Sequence, residues 1–328
     1  MANIIIVAIV RGRPVHPPGR FTCPAQAGMI HIMKSLAALL LLSLAPAAHA
    51  NGLADRIWSA QGERFIDLGE LESAIQDADI VLLGEIHDRA SHHVRQARMI
   101  RWAAAHHQPG IVLEMIGPEE ADALAGWQAG DTPDPDALGP AVAWEERGWP
   151  DWSIYQPIAE AALDHDLRLH AGAPDPSLFR QVIHEGLGVL DEDVREYLGL
   201  KGDLPEPART RLLERLERVH CGLDHHLPAE RMLAAQRFRD AAMSRKLIEV
   251  QARTGKALLI AGNGHVRRDY GVPQYLQLLA HDLKVVSIGL VPADGLDTTD
   301  VGTTAHRAFD FAWFTDGEPA LADCDEHA

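Results

Sequence analysis

Short apolar runs recur along the chain, and each ends at a glycine or a polar residue. They cover residues 80–83, 110–113, 167–171, 257–260 and 284–288. Mostly continuous apolar runs of this length are typical of strands that are buried on both faces of a parallel sheet. Helical stretches fill the gaps between them. The pattern therefore predicts an α/β fold, with a mostly parallel central sheet flanked by helices.

Helical periodicity is clearest after the first predicted strand, where Ser91 can cap a helix. Residues 155–164 predict the next crossover helix, and residues 175–255 contain no strand pattern. We predict an all-helical insertion of about that extent. In the first helix, the face that we expect to be buried carries Val94, Ala97, Ile100 and Ala104.

The beginning of the chain has the order of a secretory signal peptide. Met33 and Lys34 are followed by an apolar run over 35–45 and by small residues at 48 and 50. The run is well short of the roughly 20 residues that a membrane-spanning helix needs. We expect residues 33–50 to be cleaved, and residues 1–32 to be an extension that results from a misassigned start codon.

The expected mature protein is periplasmic or secreted, with one α/β domain over 51–300 and a C-terminal tail over 301–328. No cysteine follows the apolar run, which makes a lipid anchor unexpected, and we predict no transmembrane segment. Two cysteines, Cys221 and Cys324, remain after cleavage. Export would allow them to form a disulfide, and the sequence leaves that pairing open.

The chain is strongly acidic, with a formal net charge of −17. Residues 1–50 hold four basic side chains and no acidic ones, so the expected mature part is still more negative. Such a charge argues against nucleic acid as a partner. The negative charge is compatible with a small-molecule ligand and also with a homodimer.

Two predicted strands end in the same pattern, Gly-x-x-His, over residues 84–87 and 262–265, and a third ends in Glu114. Ligands of open α/β sheets bind beyond the carboxyl ends of the strands, so we predict that His87, Glu114 and His265 converge there. Two imidazoles and a carboxylate suit a divalent first-row metal or metal-free acid–base chemistry. Alternatively, both histidines only make backbone hydrogen bonds at strand ends.

An ordered series of motifs covers roughly residues 54–292. It comprises residues 78–88, His92, His93, Gln96, and residues 113–115, 148–155, 220–222, 227–228, 235–236, 239–243, 261–267 and 271–273. The series resembles the ChaN family of haem-binding proteins, which belongs to the Tiki superfamily. The resemblance implies an exported haem- or iron-binding protein that acts in haem or iron acquisition, with haem as its cofactor.

The same superfamily implies an alternative function. Tiki proteins are metal-dependent proteases, and erythromycin esterases are similar to them. By that resemblance the chain is a metal-dependent hydrolase in which His87, Glu114 and His265 hold the metal or act catalytically, and Glu85 assists. The chain departs from the ChaN lipoprotein pattern because it lacks the lipid-accepting cysteine.

Haem needs an axial ligand and an apolar slot. The candidates for contact with the cofactor are Tyr155, Tyr270 and His93, and for both tyrosines a core position is the alternative. His92 and His93 begin a helix, so we expect at most one of them to point inward. Three tryptophans could line a flat ligand or fill the core: Trp144, Trp149 and Trp152.

Overall fold

The computed structural model describes residues 52–219, 228–293, 296, 301 and 308–317. The predicted signal peptide, the residues before it, Cys221 and Cys324 lie outside the described residues, as does most of the predicted tail. Within the described part of the chain, no helix combines the length and the hydropathy that a membrane crossing requires.

The strands of the described residues form one eight-stranded sheet. They are β1 (Ile57–Ser59), β2 (Arg64–Ile66), β3 (Ile80–Glu85), β4 (Gly110–Leu113), β5 (Leu169–Ala171), β6 (Ala257–Gly262), β7 (Val285–Pro292) and β8 (Phe311–Thr315). Their order in the sheet is β2-β1-β8-β7-β3-β6-β4-β5. Every neighbouring pair from β8 to β5 is parallel, whereas β1 is antiparallel to both β2 and β8.

The sheet is therefore mixed, which corrects the prediction of a mostly parallel one. The five predicted strands are present as β3 to β7. The antiparallel edge was missed because β1 and β2 are three residues each, too short to show a periodic pattern. β8 lies within the segment that we predicted to be a tail, and it pairs with β7 and β1 instead.

Helices cover both faces of the sheet. The α-helices are α1 (Leu68–Asp77), α2 (Ala90–Ala104), α3 (Ala121–Gln128), α4 (Pro135–Ala141), α5 (Gln156–Asp164), α6 (Pro176–Glu185), α7 (Glu192–Tyr197), α8 (Glu206–Val219), α9 (Ala229–Thr254) and α10 (Val272–Leu279). Short 3₁₀ turns occupy Pro118–Glu120, Glu145–Arg147, Trp152–Ile154 and Leu187–Val189.

The hydrophobic core lies in two layers, one on each face of the sheet. Val81 and Leu83 of β3 face one layer, which includes residues of α1, α2 and α5. Ile80 and Leu82 face the other, which includes residues of α9 and α10. Alternate residues of a strand point to opposite faces, so a strand that is apolar at every position must be covered on both sides.

Residues 175–254 are free of strands wherever the structure describes them, as predicted, but an insertion is not confirmed. The long helix α9 packs against β4, β6 and α10, so it belongs to the layer that covers the sheet. It ends at Gly255, whose φ of 77° is a left-handed conformation that glycine adopts without strain. Strand β6 begins two residues after Gly255, so α9 and β6 lie side by side. Polar side chains of α9 thereby lie near the carboxyl ends of the strands.

Candidate functional site

The carboxyl ends of β3, β4 and β6 bring the predicted site residues together. Glu85 is paired in register with Gly262, and the Glu114 backbone N–H donates to Ile260. His87 follows β3 by two residues, and His265 follows β6 by three. The convergence expected from the parallel strand ends is thus present in the geometry.

Glu114 and His265 lie in a buried charged group, which we call the Glu114 cluster, together with Arg239 and Asp240 of α9. The Nε2 atom of His265 is 3.1 Å from Glu114 Oε1, and its Nδ1 atom is 2.5 Å from Asp240 Oδ1. Arg239 donates to Glu114 Oε1 at 2.6 Å. The backbone N–H of Gly262 donates to Glu114 Oε2 at 2.8 Å. Each charge in the cluster therefore has an opposite charge beside it.

The pKa values of the cluster follow from burial and pairing. Burial would lower the pKa of His265, but Glu114 and Asp240 raise it to about 9. Burial would raise the pKa of Glu114, but His265 and Arg239 hold it well below its ordinary value. Burial raises the pKa of Asp240 to about 6, against the opposing effect of His265. Near pH 7, His265 is consequently an imidazolium between two carboxylates.

His87 lies in a separate hydrogen-bond network with Glu85 and Tyr155. Its Nδ1 atom is 2.9 Å from Glu85 Oε1 and 3.1 Å from the Tyr155 hydroxyl. The Tyr155 hydroxyl donates to the same Glu85 oxygen at 2.8 Å. A carboxylate accepts only, so the His87 Nδ1–H points at Glu85 and the lone pair of neutral His87 is on Nε2.

The surroundings of His87 differ from those of the Glu114 cluster in exposure. The His87 side chain is 33% exposed, whereas Glu114 is 2% exposed. The ring of Trp149 meets the imidazole edge-on at 5.1 Å. Burial would lower the pKa of His87, but the hydrogen bond and charge of Glu85 raise it above its ordinary value.

Gly262 lies close to both His87 and Glu114, so the His87 hydrogen-bond network and the Glu114 cluster are neighbours. A Cβ atom on Gly262 would be 3.1 Å from His87 Nε2 and 3.7 Å from Glu114 Oε2. The absence of a side chain at this strand end is what lets both groups approach it.

Both histidines at the start of α2 are buried, so the prediction that at most one points inward is wrong. His93 is 3.2 Å from Glu85 Oε2, 3.0 Å from Gln96 Oε1 and 3.1 Å from the His87 carbonyl oxygen. The Nδ1 atom of His92 accepts from the Ile86 N–H, and its Nε2 atom faces Thr315. Burial lowers the pKa of His92 to about 3. These contacts position the strand end that carries His87.

A family model described as haem-binding uptake, Tiki superfamily, ChaN, matches residues 71–276. The match spans more than half of the chain and contains the strand ends described above. The chain belongs to the ChaN family.

Several solved structures are similar to this ChaN-family chain, to different degrees. The ChaN protein of Campylobacter jejuni, solved with cofacially bound haem, is 19% identical and has a TM-score of 0.65, covering 80% of this chain and 97% of that chain. An erythromycin esterase, EreC, is 12% identical with a TM-score of 0.43, covering 81% and 99%. The type III effector HopBA1 is 12% identical with a TM-score of 0.40, covering 76% and 92%. No curated protein sequence matches.

The described residues do not support the predicted divalent metal site of this ChaN-family chain. Among them, no group of three His, Cys, Asp or Glu side chains is placed to hold a metal ion. In the predicted set of His87, Glu114 and His265, both ring nitrogens of His265 face carboxylates. With a carboxylate against each of its ring nitrogens, His265 forms an ion pair with Glu114 in the described geometry.

The two candidate tyrosines are core residues. Tyr155 is 1% exposed, and its hydroxyl is held by Glu85. Burial and the charge of Glu85 raise its pKa far above the ordinary value, which keeps it a neutral phenol. Tyr270 is 1% exposed and packs among Leu212 and Leu216 of α8, and burial raises its pKa to about 12.

The three tryptophans divide between core and site. Trp144 and Trp152 are buried, and their indole N–H groups donate to backbone carbonyls. Trp149 is half-buried and touches His87, so it alone of the three lies against the candidate site. Core filling, one of the two alternatives that the sequence left open, holds for Trp144 and Trp152, whereas contact with a flat ligand stays a prediction for Trp149.

Sequence reasoning assigned no role to Arg239, Asp240 or Gln96. Arg239 and Asp240 balance the charges of Glu114 and His265, and Gln96 bridges His93 to the Leu83 carbonyl. All three belong to the motifs that resemble ChaN, which was the available signal. Adjacent Arg and Asp on a helix ordinarily indicate a solvated face, so the burial of Asp240 and the partial burial of Arg239 could not be predicted from the chain alone.

Proposed function

We propose that this ChaN-family protein binds haem and that His87 supplies the iron ligand. One observation carries the proposal. His92, His93 and His265 each have both ring nitrogens in contact with described residues, whereas His87 has only Nδ1 so engaged. The Nε2 atom of His87 therefore keeps a lone pair that iron can accept.

The residues around His87 suit a histidine that binds the iron of haem. A ligating histidine typically donates its other ring N–H to a carboxylate or carbonyl, which fixes its orientation and raises its basicity. Glu85 fills this position, and Tyr155 and His93 hold Glu85 in turn. Haem supplies the iron and its redox chemistry, while these side chains orient one ring nitrogen.

The wall beside His87 supports a flat apolar ligand. Trp149 is half-buried and lies against the imidazole, with Trp144 behind it at a ring separation of 5.8 Å. Aromatic rings offer a large apolar surface to a planar macrocycle. Gly262 lies beside Nε2 and has no side chain, whereas a Cβ atom there would be 3.1 Å from that nitrogen.

The alternative function is a metal-dependent hydrolase that uses His87, Glu114, His265 and Glu85. No described geometry favours it, since His265 is paired with two carboxylates and Glu85 with His87. Hydrolysis of peptides or esters by the metal-supplemented wild-type protein, lost in His265→Ala, would support this alternative.

Titration with hemin tests haem binding directly. The purified wild-type protein should develop a Soret band that saturates with hemin. His87→Ala should weaken binding at least about tenfold, since removing one ligand bond exceeds the 1.4 kcal/mol that corresponds to tenfold. His107→Ala, which removes an exposed histidine, should bind as the wild type does. A wild-type Soret response no larger than that of buffer would reject the function.

We further propose that the protein acts in haem or iron acquisition after export to the periplasm or beyond. The signal-peptide pattern at 33–50 supports export. N-terminal sequencing of protein recovered from the periplasm of a Gram-negative host should begin at Asn51. Recovery of a chain that still carries residues before position 50, in the cytoplasmic fraction, would contradict export without bearing on haem binding.

A further inference from the structure

A cleft of about 560 Å³ lies between residues 199–205, the helix α9 and the helix α10. We call it the Arg237 cleft, after the α9 side chain that lines it. Its size is within the range of about 300–1,000 Å³ that is typical of small-molecule sites. None of the residues that line it belongs to the proposed haem site or to the Glu114 cluster, so it is a separate feature of the molecule.

The walls of the Arg237 cleft are mostly apolar. Leu204, Tyr275, Leu278 and Leu279 line it. Leu278 is 64% exposed, so most of its apolar surface is in water. A hydrocarbon chain in the cleft would remove that surface from water, which is favourable in free energy. The walls therefore suit the apolar part of a ligand.

The guanidinium of Arg237 is buried but incompletely hydrogen-bonded. The residue is 5% exposed. Its Nη2 atom donates to the Gly202 carbonyl oxygen, and its Nε atom donates to the Tyr275 hydroxyl at 3.3 Å. Its Nη1 atom makes no hydrogen bond within the described part of the chain, and the nearby Asp203 Oδ1 atom is 3.6 Å away. Arg237 therefore keeps N–H donors for a ligand in the cleft.

The other charged side chains of the cleft leave Arg237 poorly compensated. Lys201 forms ion pairs with Glu192 at 3.3 Å and with Glu196 at 2.9 Å. Asp203 has a side chain that is 98% exposed, so its carboxylate is hydrated and interacts weakly with the guanidinium. A buried cation is costly unless it is both paired and hydrogen-bonded. An anionic group that entered the cleft would supply the missing acceptor to Nη1.

The Arg237 cleft and the proposed haem site lie on different sides of α9. Arg237 donates to Tyr275 of α10, whereas Arg239 donates to Glu114 at the end of β4. Residues two positions apart on a helix do not face each other, so neither arginine reaches the partners of the other. A ligand in the cleft would therefore be bound independently of haem.

We propose that the Arg237 cleft binds a small organic carboxylate with an apolar chain, of the medium-chain fatty acid class. The carboxylate would accept from Arg237 Nη1, since guanidinium groups form strong charge-assisted hydrogen bonds with carboxylates. The chain would contact Leu204, Leu278 and Leu279. One buried cation with apolar walls fits such a monoanion better than it fits inorganic phosphate. No covalent change is involved.

Isothermal titration with octanoate tests this site directly. The wild-type protein should bind octanoate saturably, with one molecule per chain. Octan-1-ol, which has the same chain without the charge, should bind at least about tenfold more weakly. Arg237→Gln should bind octanoate roughly tenfold more weakly than the wild type, and octan-1-ol equally well.

Leu278→Glu tests the apolar wall at a position where the fold tolerates substitution, because the leucine is exposed. It places a negative charge in the cleft and removes apolar surface, so octanoate affinity should fall about tenfold or more. Gln277→Glu is the matched control, since it adds the same charge at the neighbouring exposed position of α10, outside the cleft. It should bind octanoate as the wild type does. Thermal melts of these two variants should agree within a few degrees.

Three results would overturn the assignment. The wild type could show no saturable octanoate binding, it could bind octan-1-ol as tightly as octanoate, or Leu278→Glu could retain full octanoate affinity. Sedimentation adds a sharper form of the first result. A wild-type dimer that is lost in Leu278→Glu, without octanoate binding, would assign this face to a second copy of the chain.

Hemin titration separates this site from the proposed function. Arg237→Gln and Leu278→Glu should both bind hemin with wild-type affinity. A wild type that binds octanoate but no hemin would reject haem binding and leave the Arg237 cleft as proposed. A wild type that binds hemin but no octanoate would do the reverse.

Discussion

The chemistry of the site depends on which ring nitrogens its histidines leave available. Glu85 and Tyr155 engage one nitrogen of His87, whose side chain is one-third exposed, and the described residues make no hydrogen bond to its other nitrogen. In His265 both nitrogens face carboxylates. Residues that look equivalent in the two Gly-x-x-His motifs therefore have different surroundings, and under the proposed function the first binds iron while the second balances charge.

The raised pKa of His87 predicts how hemin binding depends on pH. Iron and a proton compete for Nε2, so affinity should fall as the pH drops below that pKa. In Glu85→Gln the pKa of His87 should decrease, because the carboxylate that favours the protonated ring is gone. Hemin titrations from pH 5.5 to 8.5 should show the fall at lower pH in Glu85→Gln, with weaker binding at pH 8.5.

Glu160→Gln provides the control for this prediction. Glu160 is an exposed carboxylate of α5. Its removal should leave both the pH profile and the affinity at pH 8.5 unchanged. An identical pH profile in the wild type and in Glu85→Gln would show that Glu85 does not control the proton on His87.

Among the elements, α2 shows how a functional face differs from an ordinary apolar face. Its buried side includes His92, His93 and Gln96, whereas Val94, which we expected to be buried, is 56% exposed. Ser91 lies inside the helix, and the N-cap is Arg89. The prediction from apolar periodicity was wrong for part of the buried face of α2. Three positions of that face hold polar side chains, which hydrogen-bond to the strand ends.

The end of β6 lies against His87 Nε2, the nitrogen that we propose binds iron. Gly262→Ala should reduce hemin affinity severalfold or more, because the new methyl group would lie 3.1 Å from His87 Nε2. The imidazole would have to move from the position that Glu85 fixes. Hemin titration and a thermal melt together measure the effect, and we expect the melt to change little.

Gly126→Ala is the matched control for Gly262→Ala. A Cβ at Gly126 meets nothing within 4 Å, and the position lies in α3. Alanine should stabilise this helix by about 0.5–1 kcal/mol without affecting hemin. Equal hemin affinity in both variants would show that the space at Gly262 has no part in binding.

At the scale of the whole molecule, the Glu114 cluster makes stability depend on pH. The folded-state pKa of His265 is about 9, above its unfolded value of about 6.5. Its contribution is therefore fully present below about pH 6.5 and is lost as the pH rises through 9. The pKa of Asp240 is about 6, so this group is ionised in both states over that window and adds little slope.

Urea unfolding at pH 6.5, 8 and 9.5 measures this loss. The wild type should lose on the order of 1–3 kcal/mol of unfolding free energy across the range. Asp240→Asn should be less stable at pH 6.5 but should lose less on going to pH 9.5, because His265 then has one carboxylate instead of two. Parallel pH profiles for the two proteins would contradict the pairing of Asp240 with His265.

The sequence by itself determined the parallel centre of the sheet and the edge at which the site lies. Continuous apolar runs must be buried on both faces, and parallel strands place their carboxyl ends, here Glu85, Glu114 and Gly262, side by side. The antiparallel edge, with β8 in the predicted tail, was decided by tertiary structure, because strands of three to five residues carry little periodic signal.

Tertiary structure also decided the hydrogen-bond partners of the two motif histidines. A ring nitrogen's partner is set by a side chain from another element, Asp240 of α9 for His265 and Tyr155 beside α5 for His87. These contacts join residues that are distant in the chain, so local sequence patterns cannot encode them.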